Sequence, residues 1–207
     1  MKHASKRPKI GLSMRVTEAI EYAECRDSIA HDWLSFVKRL RPDADFFLLP
    51  NIGVSIREYA TNLGLNAIIL TGGNDLGEYP IRDITETNLI DWGHCSGIPT
   101  LGVCRGMQMI VKHFGGVVEN FSDGSSEHVA TSHEIEMAGS IRTVNSYHKF
   151  IVQEHHVPSN FEVLAKATKD NTVEAIKNDH ILAVMWHPER HGQLNWETQL
   201  IKKHFNL

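Results

Sequence analysis

The chain has 207 residues, which suits one domain with a sizeable core. Apolar residues make up 42%, and a net charge of −4 removes the electrostatic case for nucleic-acid binding. Three cysteines without a C-x-x-C pair argue against a disulfide framework or a zinc knuckle, and no apolar run is long enough to span a membrane.

The predicted elements alternate through the first half. Residues 1–9 are basic and read as a flexible tail, with none of the apolar stretch that marks a signal peptide; the expectation is a cytoplasmic protein. Ile10 to Met14 reads as a strand. Arg26 to Leu40 carries Ile29, Trp33, Phe36, Val37 and Leu40 at helical spacing. Asp45 to Leu49 is a strand closed by Pro50, Val54 to Leu63 a short helix and Ala67 to Thr71 a strand. Ile81 to His94 reads as a helix with Ile84, Leu89 and Ile90 inward. Thr100 to Cys104 is a strand, and Met107 to Phe114 a helix ended by Gly115-Gly116. This order predicts an α/β fold, an open and mainly parallel sheet with helices on both faces. The second half is richer in strands: Gly116 to Phe121, Ser140 to Val144, Glu162 to Ala167 and Thr172 to Asn178, then a turn into the strand at Ile181. Ser122 to Ser132 is polar and reads as a loop near the site, and Asn195 to Phe205 as a closing amphipathic helix. Residues 1–207 are expected to form a single domain.

Three motifs carry chemistry. Gly102-Val103-Cys104-Arg105-Gly106 has the form of a nucleophile elbow with cysteine in the place of serine. Its flanking glycines permit close backbone approach, and the following helix N-terminus favours a thiolate. His187-Pro188-Glu189 follows an apolar run. Residues i and i+2 of an extended segment share a face, so Glu189 can hold one imidazole nitrogen of His187 while the other faces the thiol. Thr71-Gly72-Gly73 ends another apolar strand, and its freed backbone N–H groups suit an oxyanion hole built from Gly73 and Arg105. All three fall at predicted carboxyl ends of strands, where open parallel sheets bind ligands. Cys104, His187 and Glu189 are the expected catalytic residues.

With these motifs in family order, the chain resembles the class I glutamine amidotransferases over roughly residues 10 to 205. The resemblance implies a flavodoxin-like fold, a Cys-His-Glu triad and cleavage of γ-glutamyl amides through a thioester, with no cofactor. It implies that Gln108, Tyr147 and His148, with Gly72 and Ser146 beside them, line the glutamyl pocket; Lys149-Phe150 departs from the family pattern. Glutaminase subunits usually carry leucine after the nucleophile, whereas this chain has Arg105. That residue, Asn74-Asp75 and the run Arg82-Asp83-Ile84-Thr85-Glu86 resemble the stand-alone γ-glutamyl hydrolases of the C26 peptidase type, γ-glutamyl-γ-aminobutyrate hydrolase included. The short form and Gly11-Leu12-Ser13-Met14-Arg15 are similar to γ-glutamyl-CDP-amidate hydrolases.

Bland readings stand beside these. Cys104 can be a core thiol and Gly72-Gly73 a plain turn. Arg82, Asp83 and Glu86 can be a solvated helix face, Gln108 a surface residue, and Tyr147 and His148 packing. Arg15 can bind an anionic group of the substrate or cap local carbonyls. The 13 histidines include no H-E-x-x-H motif, so no metal is expected. The expected partner is a small γ-glutamyl substrate, with no nucleic acid and no membrane. A homo-oligomer, a glutaminase component feeding a synthase, and a binding module or different hydrolase on this fold all stay open.

Overall fold

The computed structural model describes residues 7–121, 129–190 and 195–206. A nine-stranded sheet runs through the molecule. Its parallel part is built from β1 (Lys9–Ser13), β4 (Asp45–Leu49), β5 (Ala67–Leu70), β6 (Thr100–Val103) and β13 (Ile181–Val184), in the spatial order β4-β1-β5-β6-β13. Four antiparallel strands extend it, β12 (Val173–Lys177), β11 (Glu162–Ala167), β8 (Val129–Met137) and β9 (Ser140–Tyr147). Two short pairs lie apart from it: β2 (Arg15–Ala19) with β3 (Glu24–Ser28), and β7 (Glu119–Asn120) with β10 (Phe150–Ile151).

Strand alternation divides the core in two. Ile10, Leu12 and Ile69 face α1 (His31–Leu40) and α5 (Asn195–Phe205), where Trp33, Phe36, Val37, Leu40, Ile201 and Phe205 are buried. Ile68 and Leu70 face α2 (Ile56–Leu63), α3 (Pro80–Ser96) and α4 (Arg105–His113) across Ile56, Ala60, Leu89, Ile90, Met107 and Ile110. The sheet is therefore covered on both faces, as the β-α alternation requires.

Several expectations need correction. The sheet begins at Lys9, inside the stretch read as a tail, and Arg7 pairs with Asp45. The helix expected over Arg26 to Leu40 starts at His31, because Arg26 to Ser28 pair with Arg15 to Thr17 in the β2–β3 hairpin. Ile84 is exposed, while Leu89 and Ile90 are buried. Within Ser122 to Ser132, residues 122–128 lie outside the described part, and Val129 to Ser132 belong to β8 rather than to a loop. In Gly116 to Phe121 only Glu119 and Asn120 pair as a strand.

Backbone crowding fixes where α4 sits. A Cβ added at Gly106 would fall on the Leu70 carbonyl oxygen, so the first turn of α4 lies directly on the end of β5. Gly106→Ala should therefore lower stability by about 1–3 kcal/mol, the usual cost of overpacking, measured by urea unfolding.

Candidate active site

Three adjacent parallel strands deliver the site. Cys104 follows β6, Thr71-Gly72-Gly73 follow β5, and His187 lies three residues beyond the end of β13. Cys104 has φ 53° and ψ −107°, a conformation that non-glycine residues rarely adopt, and it immediately precedes α4. Its N–H donates to the Val184 carbonyl at 2.8 Å and its carbonyl accepts from the Gln108 N–H at 3.1 Å. Those bonds and the crowding at Gly106 hold the turn, and the thiol, 7% exposed, lines a cleft of about 260 Å³.

His187 is buried beside it. Its Nδ1 lies 2.7 Å from Glu189 Oε1, and its ring shares the cleft with the Cys104 thiol. Burial disfavours the imidazolium, but the bonds and charges of Cys104 and Glu189 outweigh it and raise the His187 pKa to about 9. The ring fits because residue 72 is glycine: a Cβ there would stand 2.7 Å from His187 Cε1.

Two backbone N–H groups of residues lining the cleft make no hydrogen bond among the described residues. Arg105 is the first residue of α4, where no intrahelical carbonyl is in reach. The Gly73 N–H makes no hydrogen bond among the described residues. Its direction is set from behind by Arg82. This fully buried guanidinium donates to the carbonyls of Thr71 at 2.8 Å, Gly72 at 3.2 Å and Gly73. In a trans peptide the N–H points opposite to the preceding C=O, so holding the Gly72 carbonyl back turns the Gly73 N–H forward.

A domain match covers most of the chain: the model of the class I glutamine amidotransferases matches residues 24–206. The chain belongs to the class I glutamine amidotransferase family. It is 33% identical to a γ-glutamyl-CDP-amidate hydrolase of Campylobacter jejuni, across 96% of this chain and 98% of that one. It is 30% identical to a glutamine-hydrolysing GMP synthase subunit of Methanospirillum hungatei, across 71% of this chain and 74% of the relative. A solved structure from Thermoplasma acidophilum, assigned as a GMP synthase subunit, superposes with a TM-score of 0.73 at 18% identity, covering 97% of this chain and 93% of that one. The open, mostly parallel sheet covered by helices is thus the amidotransferase fold.

The remaining expected site residues divide. Gln108, Tyr147 and His148 line the amidotransferase cleft with Cys104, Gly73 and Arg105. Gln108 is buried, so it is no surface residue. Tyr147, 43% exposed, sets its ring edge-on to His187 with centroids 5.6 Å apart, and Arg190 stacks over it at 4.3 Å. Ser146 is fully buried and is not among the lining residues. Gly72 and Arg15 line a second, smaller recess on the other side of His187.

Sequence reasoning missed three features and left a fourth open. Asn145 grips the backbone of His187 twice: its Nδ2 donates to the His187 carbonyl at 2.9 Å, and its Oδ1 accepts from the His187 N–H at 2.8 Å. β9 buries Val144, Asn145 and Ser146 in succession at its end, a break from strand alternation that the sequence pattern does not give. Glu174 is fully buried between His133 at 3.4 Å and His148 at 3.5 Å. Burial pushes its carboxyl up, but the two histidines beside it prevail and hold it below the usual range. Lys149, where the chain departs from the family pattern, pairs with Asp75 at 2.7 Å at the cleft. Finally, Arg82, Asp83 and Glu86 are no solvated face. Glu86 is fully buried, bonded to Arg82 at 3.0 Å, to Ser13 at 2.9 Å and to Arg105, whose other arm reaches Asp83.

Among the described residues no cluster of His, Cys, Asp or Glu has the arrangement to hold a metal, and no helix is long and apolar enough to cross a membrane.

The His187 imidazole should titrate near pH 9 by nitrogen-detected NMR. Because Cys104 and Glu189 both favour the charged ring, Cys104→Ala and Glu189→Gln should each move that midpoint downward.

Proposed function

We propose that the protein is a stand-alone hydrolase that cleaves a γ-glutamyl amide bond through a γ-glutamyl thioester. The observation that carries this reading is the cysteine held at positive φ against a buried histidine-carboxylate pair, at the ends of three adjacent parallel strands. The near end-to-end likeness to a γ-glutamyl-CDP-amidate hydrolase supports hydrolysis and supports a nucleotide amidate or a γ-glutamyl amine as the substrate.

In the proposed cycle the Cys104 sulfur attacks the γ-carbonyl carbon. The oxyanion forms against the N–H groups of Gly73 and Arg105, which make no other hydrogen bond among the described residues. As the C–N bond breaks, the imidazolium of His187 gives its proton to the leaving nitrogen. Water then adds to the thioester, returning a proton to His187 and releasing glutamate and the free thiol. Glu189 holds the Nδ1–H and so fixes which ring nitrogen faces the reaction. No step calls for a cofactor. Gln108, Tyr147 and His148 would hold the glutamyl part in the cleft. The small-molecule substrate is the only partner this chemistry needs.

The likeness to a GMP synthase subunit favours a second reading, a glutaminase that passes ammonia to a synthase. Against it stands Arg105, whose guanidinium is committed to Glu86 and Asp83. Glutamate release by the purified protein alone separates the two: a γ-glutamyl amide other than glutamine should be cleaved without any synthase present.

Removing Cys104 (Cys104→Ala) should abolish glutamate release. His187→Ala should cost about 10²- to 10⁴-fold in kcat, the range for a general base, and Glu189→Gln less, because Glu189 orients without reacting. Arg82→Lys keeps the charge but cannot reach three carbonyls at once. It should lower kcat more than it raises KM, measured on the same substrate.

A further inference from the structure

His187 stands between two hollows. The larger cleft holds Cys104, Gln108 and His148; the smaller recess is lined by Arg15, Ser28, Ala30, Gly72, Gly73 and Glu189. Gly73, His187 and Arg190 belong to both. A histidine that protonates the leaving nitrogen must have the leaving group on its own side. If the glutamyl part fills the cleft, the leaving group therefore extends over Gly73 and His187 into the recess.

The recess carries two arginines, Arg15 and Arg190, beside the Glu189 carboxylate. The Arg15 guanidinium lies over Gly73, its Cζ and Nε 3.1 Å from where a Cβ would stand. It has no hydrogen bond or ion pair among the described residues, in contrast to Arg82 and Arg105, which are both ion-paired to Glu86. Arg82 stands near enough to repel it, and no carboxylate of the described residues pairs with Arg15. Arg190 is stacked on Tyr147 at the opposite edge, 3.8 Å from Glu189, whose Oε1 is already taken by His187. An unpaired, forked cation beside the proposed oxyanion donor matches a phosphoryl group, which accepts two parallel N–H bonds.

Resting on the hydrolase reading above, we propose that Arg15, assisted by Arg190, forms a subsite for a phosphoryl group bonded directly to the leaving nitrogen. The preferred substrate class is then a γ-glutamyl phosphoramidate. The phosphoryl oxygens of such a substrate lie two bonds from the nitrogen that His187 protonates, within reach of the Arg15 fork, whereas the carboxylate of a longer γ-glutamyl amine lies several bonds further out.

The test compares kcat/KM for the γ-glutamyl amidate of cytidine diphosphate with that for γ-glutamyl methylamide, in the whole protein and in Arg15→Gln and Arg15→Lys. In Arg15→Gln the ratio of the two should fall about 10- to 100-fold, the worth of a hydrogen-bonded charge pair, and Arg15→Lys should restore part of it. A ratio unchanged within about twofold overturns the subsite, because loss of mere structural support lowers both substrates together. An equal fall for γ-glutamyl-γ-aminobutyrate overturns the phosphoryl assignment in favour of any anion. Calorimetry on the Cys104→Ala protein gives a readout independent of turnover: cytidine diphosphate should bind more tightly than cytidine, and Arg15→Gln should erase the difference. If the protein cleaves neither amide yet cytidine diphosphate binding still depends on Arg15, the subsite stands and the hydrolase reading falls. Binding of cytidine diphosphate that ignores Arg15 sinks the subsite alone.

Discussion

The buried carboxylate of Glu86 is the constraint on which the rest of the site depends. Taking an ion from water into a protein interior costs several kcal/mol, so a buried carboxylate persists only with its charge and lone pairs met. Glu86 has both met, by Arg82, Arg105 and the Ser13 hydroxyl, and the two guanidiniums hold its carboxyl below the usual range despite complete burial. Each of these partners belongs to a different part of the site. Ser13 ends β1 and also accepts from the Thr71 N–H; Arg82 grips the Gly-Gly turn; Arg105 follows Cys104. One carboxylate on α3 thus ties the elbow to the turn that faces it. Breaking such a network by removing one member leaves an unpaired charge inside, which is why it cannot loosen gradually.

This explains what arginine does after the cysteine. The elbow itself asks nothing of that side chain, since the proposed donor is its backbone N–H. The side chain reaches across to Glu86 and Asp83 of α3, into the ion network. The catalytic edge is therefore braced from below by charge and from the sides by apolar packing. The antiparallel half of the sheet contributes separately. Its β9 end supplies Asn145 to hold the His187 backbone and Tyr147 to flank the ring. The parallel half positions the thiol and the proposed oxyanion donors, and the antiparallel half holds the base.

The elbow, the Gly-Gly turn and the His-Pro-Glu end were legible because each is a local pattern with one dominant stereochemical reason. The five parallel strands were legible for the same cause, being short apolar runs closed by turns. The hairpin of β2 and β3 was not, because its residues are mostly exposed and polar and lack strict alternation. Apolar residues at helical spacing drew the predicted helix back into Arg26, where cross-strand pairing prevails. The burial of Arg82 and Glu86 was left open for a deeper reason. An arginine and a glutamate four residues apart on a helix read identically whether water or protein surrounds them; only the fold decides, and here it buries both completely.

The strained conformation of Cys104 sets stability against chemistry at a single residue. A side chain at φ 53° and ψ −107° costs of order 1–3 kcal/mol that glycine would largely avoid. Selection for a hardier fold alone would thus drift toward replacing the proposed nucleophile. Its retention would mark a chain still under selection for turnover, and a glycine at this position would be the signature of a descendant kept only as a scaffold.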